Sequence, residues 1–233
     1  MHTMAVFISF DVDKTLADYS KAHGYSFLEG IPSVYKDFYV NWIDLKANGP
    51  TDMQIITELL HSHGMSYERI FKGMDDCVVR MTELFKLNIA KHPVVLIDGV
   101  REALASLDSM DVLMGLATGN LEEIAWLKMK NAGIKQYFKV GGFGTDAFTR
   151  TGVIRTAVRR AEESLGITPE DQLFHVGDTV NDVMSALEAG VVPIGVTTGF
   201  TSKEEFKEAG ATLVIDNLVE IVDVVEKEME GRN

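Results

Sequence analysis

The chain has 233 residues, 46% of them hydrophobic, ample for a full core and for one large domain or one domain carrying an insertion. Its 22 basic against 35 acidic residues give a formal net charge of −13, which excludes the broad basic surface that holds nucleic acid or an anionic membrane. The lone cysteine, Cys77, excludes an intramolecular disulfide, and no window approaches the roughly 20 apolar residues that span a bilayer. The apolar run at the start is too short for a secretory signal, so the expectation is a cytoplasmic protein, monomer or small homo-oligomer, with no nucleic-acid and no membrane partner.

In chain order, the first element is the apolar run "VFISF" (6–10), which reads as a strand buried on both faces and ends in the pair Asp11 and Asp13. From about residue 18 to 97 no convincing strand run occurs. Met53, Ile56, Leu59 and Leu60 make one helical stripe there, and Met74, Cys77, Val78, Met81, Leu84 and Phe85 make another. About eighty residues exceed an ordinary crossover, so 18–97 read as an inserted all-helical cap domain, leaving 1–17 and 98–233 as the core domain. "HSHG" (61–64) reads as a helix end closed by Gly64 and not as a metal site.

Beyond the insertion, strand runs alternate with helical stripes. The runs are "VLMGLAT" (112–118), "YFKVGGF" (137–143), "LFHVG" (173–177), "VVPIGVTT" (191–198) and "TLVID" (212–216). Between and around them, Val100, Ala103, Leu104 and Leu107 form one stripe, Ile154, Ala157, Val158, Ala161 and Leu165 a second, and Leu218, Ile221, Val222, Val225 and Met229 a third. This alternation predicts an α/β core built on a doubly wound, Rossmann-like parallel sheet.

Ligands of such sheets sit outside the carboxyl ends of the strands, where Asp11 and Asp13 fall. Successive strand side chains point to opposite faces, so both carboxylates can serve one site only where the backbone begins to turn. "FHVGDTVND" adds Asp178 and Asp182 one helical turn apart, with Gly177 permitting close backbone approach. Together the four acids make an oxygen-rich cage that suits Mg2+, and a cation would offset their repulsion. Two features suit an anion: "LATGN" puts Thr118, Gly119 and Asn120 after a core strand, and Arg150 falls at a strand-to-helix junction. Arg155, Arg159 and Arg160 lie off the apolar stripe of the following helix and read as solvated, and His175 reads as a satisfied core histidine.

These motifs in this order resemble the haloacid dehalogenase superfamily, and more narrowly its phosphoglycolate phosphatase-like branch with a helical cap. The matching residues are Asp11-Val12-Asp13-Lys14-Thr15-Leu16, Thr118-Gly119-Asn120, Arg150 and Gly177-Asp178-Thr179-Val180-Asn181-Asp182, within a resemblance spanning about 7–216. "NGPTDMQIITELL" (48–60) is similar to the cap segment that carries the substrate-specificity loop of that branch, which points to Thr51 and Asp52 as substrate contacts.

The resemblance implies an Mg2+-dependent phosphatase for a small phosphorylated metabolite, phosphoglycolate or a sugar phosphate among them. It implies that Asp11 attacks phosphorus to form an aspartyl phosphate, and that Asp13 serves as general acid and base while its backbone carbonyl binds the metal. It further implies that Asp178 completes the metal ligands, with Asp182 behind it or bound through water. Thr118, Gly119, Asn120 and Arg150 would hold the phosphoryl oxygens. Dehalogenases lack an acid at the second position, so Asp13 favours phosphoryl transfer.

Two residues depart from the branch: Lys14 stands where glycine is usual, and Arg150 where lysine is usual. Arginine keeps the charge and can grip phosphate with two N–H groups. Lys14 reads as a side chain turned to solvent, with a direct phosphate or substrate contact as the alternative. Asp18 reads equally as a hinge acceptor and as surface. A phosphomutase of the same branch would carry the same motifs, as would a non-catalytic phosphate-binding protein. A receiver-type signalling module fits poorly, because its phosphorylated acid follows a later strand and no helical insertion interrupts it.

Overall fold

The structure, a computed structural model, describes residues 5–36, 38–42, 50–168 and 170–230. Its strands are β1 (Val6–Phe10), β2 (Leu113–Thr118), β3 (Val140–Phe143), β4 (Gln172–Gly177), β5 (Val192–Val196) and β6 (Leu213–Ile215), all parallel in one sheet of order β3-β2-β1-β4-β5-β6. Its helices are α1 (Lys21–Val34), α2 (Asp52–Ser62), α3 (Tyr67–Asn88), α4 (Val100–Ser109), α5 (Glu122–Asn131), α6 (Arg150–Leu165), α7 (Val180–Ala189), α8 (Lys203–Glu208) and α9 (Glu220–Glu230). The expected doubly wound parallel sheet is therefore present.

Helices cover both faces of the sheet, which is why β1 has no polar face. Ile8 and Phe10 pack on one side with Leu104 of α4, Met129 of α5 and Ile221 of α9, while Phe7 packs on the other with Ala161 of α6. The strand order reverses at β1, the crevice where ligands of such sheets bind. Register sharpens this placement. Phe10 stands level with Leu116 of β2 and Val176 of β4, so Asp11, Thr118 and Asp178 emerge together from three adjacent central strands. The Asp11 N–H continues the ladder by donating to Val176 O at 2.9 Å.

Four strand runs are shorter than the sequence suggests, 112–118 by one residue, 212–216 by two, and 137–143 and 191–198 by three each. Pairing of β3 begins only at Val140 opposite Gly115, and Lys135–Tyr137 form a 3-10 turn before it. The run 191–198 stops pairing at Val196, opposite Ile215.

Among the described residues between 18 and 97 there are helices and no strand. Here α1, α2 and α3 enclose their own apolar cluster, with Phe27, Ile31, Ile56, Leu60, Ile70, Met81 and Phe85 buried and Leu121, which precedes α5, and Ile124 of α5 closing it from the sheet side. The two expected stripes became α2 and α3. α1 carries no regular stripe, because Gly24, Gly30 and Pro32 interrupt it. Gly30 nonetheless has a packing reason, since a Cβ there would lie 2.6 Å from Met81 Cγ. Gly64 closes α2 with a positive φ of 87°, as its sequence context suggests.

The chain leaves and re-enters the sheet layer through two adjacent connecting segments joined by an isolated bridge between Ala17 and Leu96. Asp18 N–H donates to Val95 O at 2.9 Å and Ile97 N–H to Leu16 O at 3.1 Å. Among the described residues, no helix is long and apolar enough to cross a membrane.

Candidate active site

A cavity of about 550 Å³ lies between the carboxyl ends of the central strands and the helical layer. Asp11, Asp13, Gly119, Asn120, Arg150, Asp178 and Asp52 border it, so seven of the residues singled out from sequence converge there. Thr118, Asp182 and Thr51 do not border it. Thr118 is buried at the end of β2 with its Oγ1 accepting from Asn120 N–H at 3.4 Å. The Thr51 hydroxyl caps α2 by accepting from Gln54 N–H at 3.2 Å and donates to Phe148 O at 3.3 Å. Residues 48 and 49 of the similar cap segment lie outside the described residues.

Arg150 opens α6 and sends its guanidinium between two acids. Nη1 donates to Asp11 Oδ1 at 2.9 Å, and Nε lies 3.0 Å from Asp182 Oδ1, an ion pair without hydrogen-bond geometry. Asp182 is oriented from its other oxygen: Oδ2 accepts from Thr179 N–H and Oγ1 at 3.1 and 2.6 Å in a capping box at the start of α7. A third group faces Asp182 Oδ1, His175 Nε2 at 3.6 Å. His175 is thus only half satisfied, through Nδ1 and Ser9 Oγ at 3.0 Å, and not the fully satisfied core histidine expected.

One guanidinium cannot compensate three buried acids. Burial pushes the Asp11 carboxyl up to about 6 against the pull of Arg150, with Asp182 and Asp13 adding to the rise. Asp178 is pushed up to about 8, by burial first and then by Asp11 and Asp182. Burial would raise Asp182 too, but Arg150 and His175 outweigh it and hold that carboxyl well below the usual range.

Oxygens of Asp11, Asp178 and Asp182 lie within 4.8 Å of one another. This buried all-carboxylate donor set, which one guanidinium leaves under-compensated, fits a hard divalent cation.

Asp13 sits in the opposite environment. Its Oδ2 accepts from Asn120 Nδ2 at 2.8 Å, and both oxygens lie 2.7 Å from Lys128 Nζ. Burial would raise this carboxyl, but the Lys128 ammonium, with a hydrogen bond from Asn120, outweighs it and holds it below the usual range. Asn120, expected to hold phosphate oxygens, therefore spends its side chain on Asp13 and Lys128.

Lys128 and His23 were missed from the sequence. Lys128 sits in "LKMKNAG" beside a second lysine near a helix C-terminus, where lysine is ordinarily solvated.

The helical layer docks on the Gly119–Leu121 loop through Asp52. Its N–H donates to Gly119 O at 2.8 Å, and its Oδ2 accepts from Leu121 N–H at 2.8 Å and pairs with His23 Nε2 at 2.9 Å. Gly119 has to be glycine for this contact: a Cβ would stand 2.9 Å from Pro50 O and 3.0 Å from Thr51 Cα.

Other expectations changed. Lys14 neither points freely to solvent nor borders the cavity; its ammonium pairs with Asp18 and lies over the rings of Tyr19 and Phe200. Its φ of 63° explains why glycine is usual there, since a Cβ in the left-handed region costs roughly 1–2 kcal/mol. Arg160 is not solvated either: it grips both Asp146 oxygens, at 2.8 and 2.7 Å, and Gly141 O, tying α6 to the end of β3. Arg155 donates to Glu188 O at 2.7 Å and ties α6 to α7.

A doubly wound parallel sheet carries a buried carboxylate–arginine cluster at its strand reversal, with a layer of helices over it. Residues 8–196 match the family model of haloacid dehalogenase-like hydrolases, and the chain belongs to that family. A protein from Clostridium perfringens named pyrophosphatase PpaX is 26% identical over 231 residues, covering 94% of this chain and 97% of that relative. Phosphoglycolate phosphatase 1 of Pseudomonas aeruginosa is 32% identical over 134 residues, covering 57% of this chain and 48% of that relative. The chain thus spans about half the length of the phosphoglycolate phosphatase it matches. Among solved structures, CbbY from Rhodobacter sphaeroides in complex with phosphate superimposes with a TM-score of 0.72 at 23% identity, covering 94% of this chain and 96% of that one. At that identity the likeness speaks for the fold.

Proposed function

We propose that this hydrolase cleaves a small phosphomonoester in two displacements at Asp11, beneath a cap formed by residues 18–97 on a core of residues 1–17 and 98–233. The observation that carries this reading is the Asp11 carboxylate, held at 2.9 Å by Arg150 at the centre of the strand ends and open to the cavity. In the first step an Asp11 oxygen attacks phosphorus, the ester P–O bond breaks, and Asp13, having taken up a proton against the pull of Lys128, delivers it to the leaving oxygen. In the second, Asp13 takes a proton from water, whose oxygen attacks phosphorus and releases inorganic phosphate and free Asp11. Arg150 and the Gly119 N–H neutralise phosphoryl oxygens, and Asp182 fixes the guanidinium from behind.

Asp11, Asp178 and the Asp13 carbonyl would hold a divalent cation, with Asp182 as a further or indirect ligand. When bound, Mg2+ supplies the positive charge that the phosphoryl oxygens and the crowded carboxylates lack. The cavity volume suits a small ester, and the names of the relatives make phosphoglycolate and pyrophosphate the first compounds to try, with sugar phosphates beside them. The test is inorganic phosphate release from that panel with Mg2+ and with excess chelator. Metal-dependent release preferring one compound supports the reading. Isomerisation without phosphate release would replace it with a phosphomutase, and binding without turnover with a phosphate-binding protein.

A further inference from the structure

We infer that Lys128 is the positioning residue for Asp13, and that His23 and Asp52 anchor its ammonium to the helical layer, so that the proton-transfer carboxylate is set only when that layer is seated. This rests on the reading above, in which Asp13 handles protons. Lys128 comes from α5 and is 0% exposed. It lies behind Asp13 and does not border the cavity, so it acts through Asp13 and not on substrate.

The contacts of its Nζ are 2.7 Å to each Asp13 oxygen, 2.7 Å to Asn120 Oδ1 and 3.1 Å to His23 Nδ1. An ammonium has only donors, so His23 Nδ1 accepts and the ring proton belongs on Nε2. That nitrogen then donates to Asp52 Oδ2 at 2.9 Å, and Asp52 bonds the Gly119–Leu121 loop. Every bond in the series has a defined direction: Asp52 accepts from His23, His23 accepts from Lys128, and Lys128 grips Asp13. His23 lies on α1 and Asp52 on α2, whereas Lys128, Asn120 and Asp13 belong to the sheet side. Lifting the helical layer removes His23 from the ammonium and Asp52 from the loop.

A buried ammonium survives only with its partners in place, so this set of contacts fixes a single carboxylate orientation. Asn120 strengthens the point by holding Asp13 Oδ2 from a second direction at 2.8 Å.

Leaving-group dependence tests this. Lys128→Met should lower kcat for an alkyl phosphate by about 100-fold and for p-nitrophenyl phosphate, whose leaving group needs no proton, by less than about 5-fold, with KM within about 3-fold. Asp13→Asn should give the same pattern, and the double variant should be no worse than Asp13→Asn alone. His23→Gln, which leaves the charged partners in place, should give a smaller loss of about 10-fold confined to the alkyl phosphate. It serves as the deciding variant should Lys128→Met not fold.

Equal losses on both esters, additive losses in the double variant, or a His23→Gln enzyme indistinguishable from wild type would overturn the inference while leaving the phosphatase reading intact. Wild-type protein that hydrolyses neither ester would overturn both.

Discussion

Asp11 and Asp13 stand two residues apart and face one cavity, yet their surroundings push them in opposite directions. Asp11 shares a single guanidinium with Asp182 beside a third acid, Asp178, and its carboxyl rises to about 6. Asp13 has an ammonium and an amide to itself, and its carboxyl falls. The under-compensated side, with Asp11 and Asp178, has room for a cation and an incoming phosphate. The compensated side holds one carboxylate in a fixed orientation.

The largest effect should come from breaking the first side. Asp11→Asn should reduce phosphate release by on the order of 10⁴-fold or more on every ester, because both displacements pass through that oxygen. The loss should not depend on the leaving group, in contrast to Asp13→Asn; steady-state rates on an alkyl and an aryl phosphate separate the two. Arg150→Ala should follow, at roughly 10² to 10³-fold in kcat, the usual cost of an oxyanion donor. Arg150→Lys should recover part of that rate, limited because one ammonium cannot reach Asp11 and Asp182 along the two directions Arg150 uses.

Metal binding sharpens the comparison through stability. A carboxyl whose folded pKa is raised stabilises the protein below its unfolded value, and that contribution is lost as pH climbs through the folded one. For Asp11, at about 6, and Asp178, at about 8, metal-free Tm should therefore fall as pH rises from the ordinary carboxylate range toward 8. Mg2+ should restore it, more at about pH 8.5 than at about pH 6, where protons compete for the same oxygens. Thermal melts with and without Mg2+ at the two pH values check the sign.

The smallest effect concerns a region away from the cleft. Cys77 lies in the interior of the helical layer, where burial pushes its thiol up to about 12. It should resist a maleimide in the native protein and react on unfolding, and Cys77→Ala should leave turnover unchanged.

Much of the fold was legible because buried parallel strands leave continuous apolar runs, and "VFISF" became β1 without a residue's error. The ends of later runs were not, since hydropathy does not record where pairing stops: Tyr137 is as apolar as a strand residue but falls in a turn. α1 was hidden by two glycines and a proline inside the helix. The carboxylates and Arg150 were readable because their types and their places after strands carry the chemistry. Lys128 and His23 were not, because their partners lie 115 and 29 residues away, a coincidence made only by folding. Arg160 misled for the same reason: its partner Asp146 lies one loop back across α6.

The most direct test of the central assignment, Asp11 as nucleophile, is to quench the enzyme during turnover of a good ester with Mg2+ and map the trapped acyl phosphate. Borohydride reduction converts the modified aspartate to homoserine, which peptide mass spectrometry locates. Homoserine at position 11, lost when substrate or metal is omitted, is the expected result. Continued phosphate release with position 11 unmodified, or the label on Asp13 or Asp178, would contradict it.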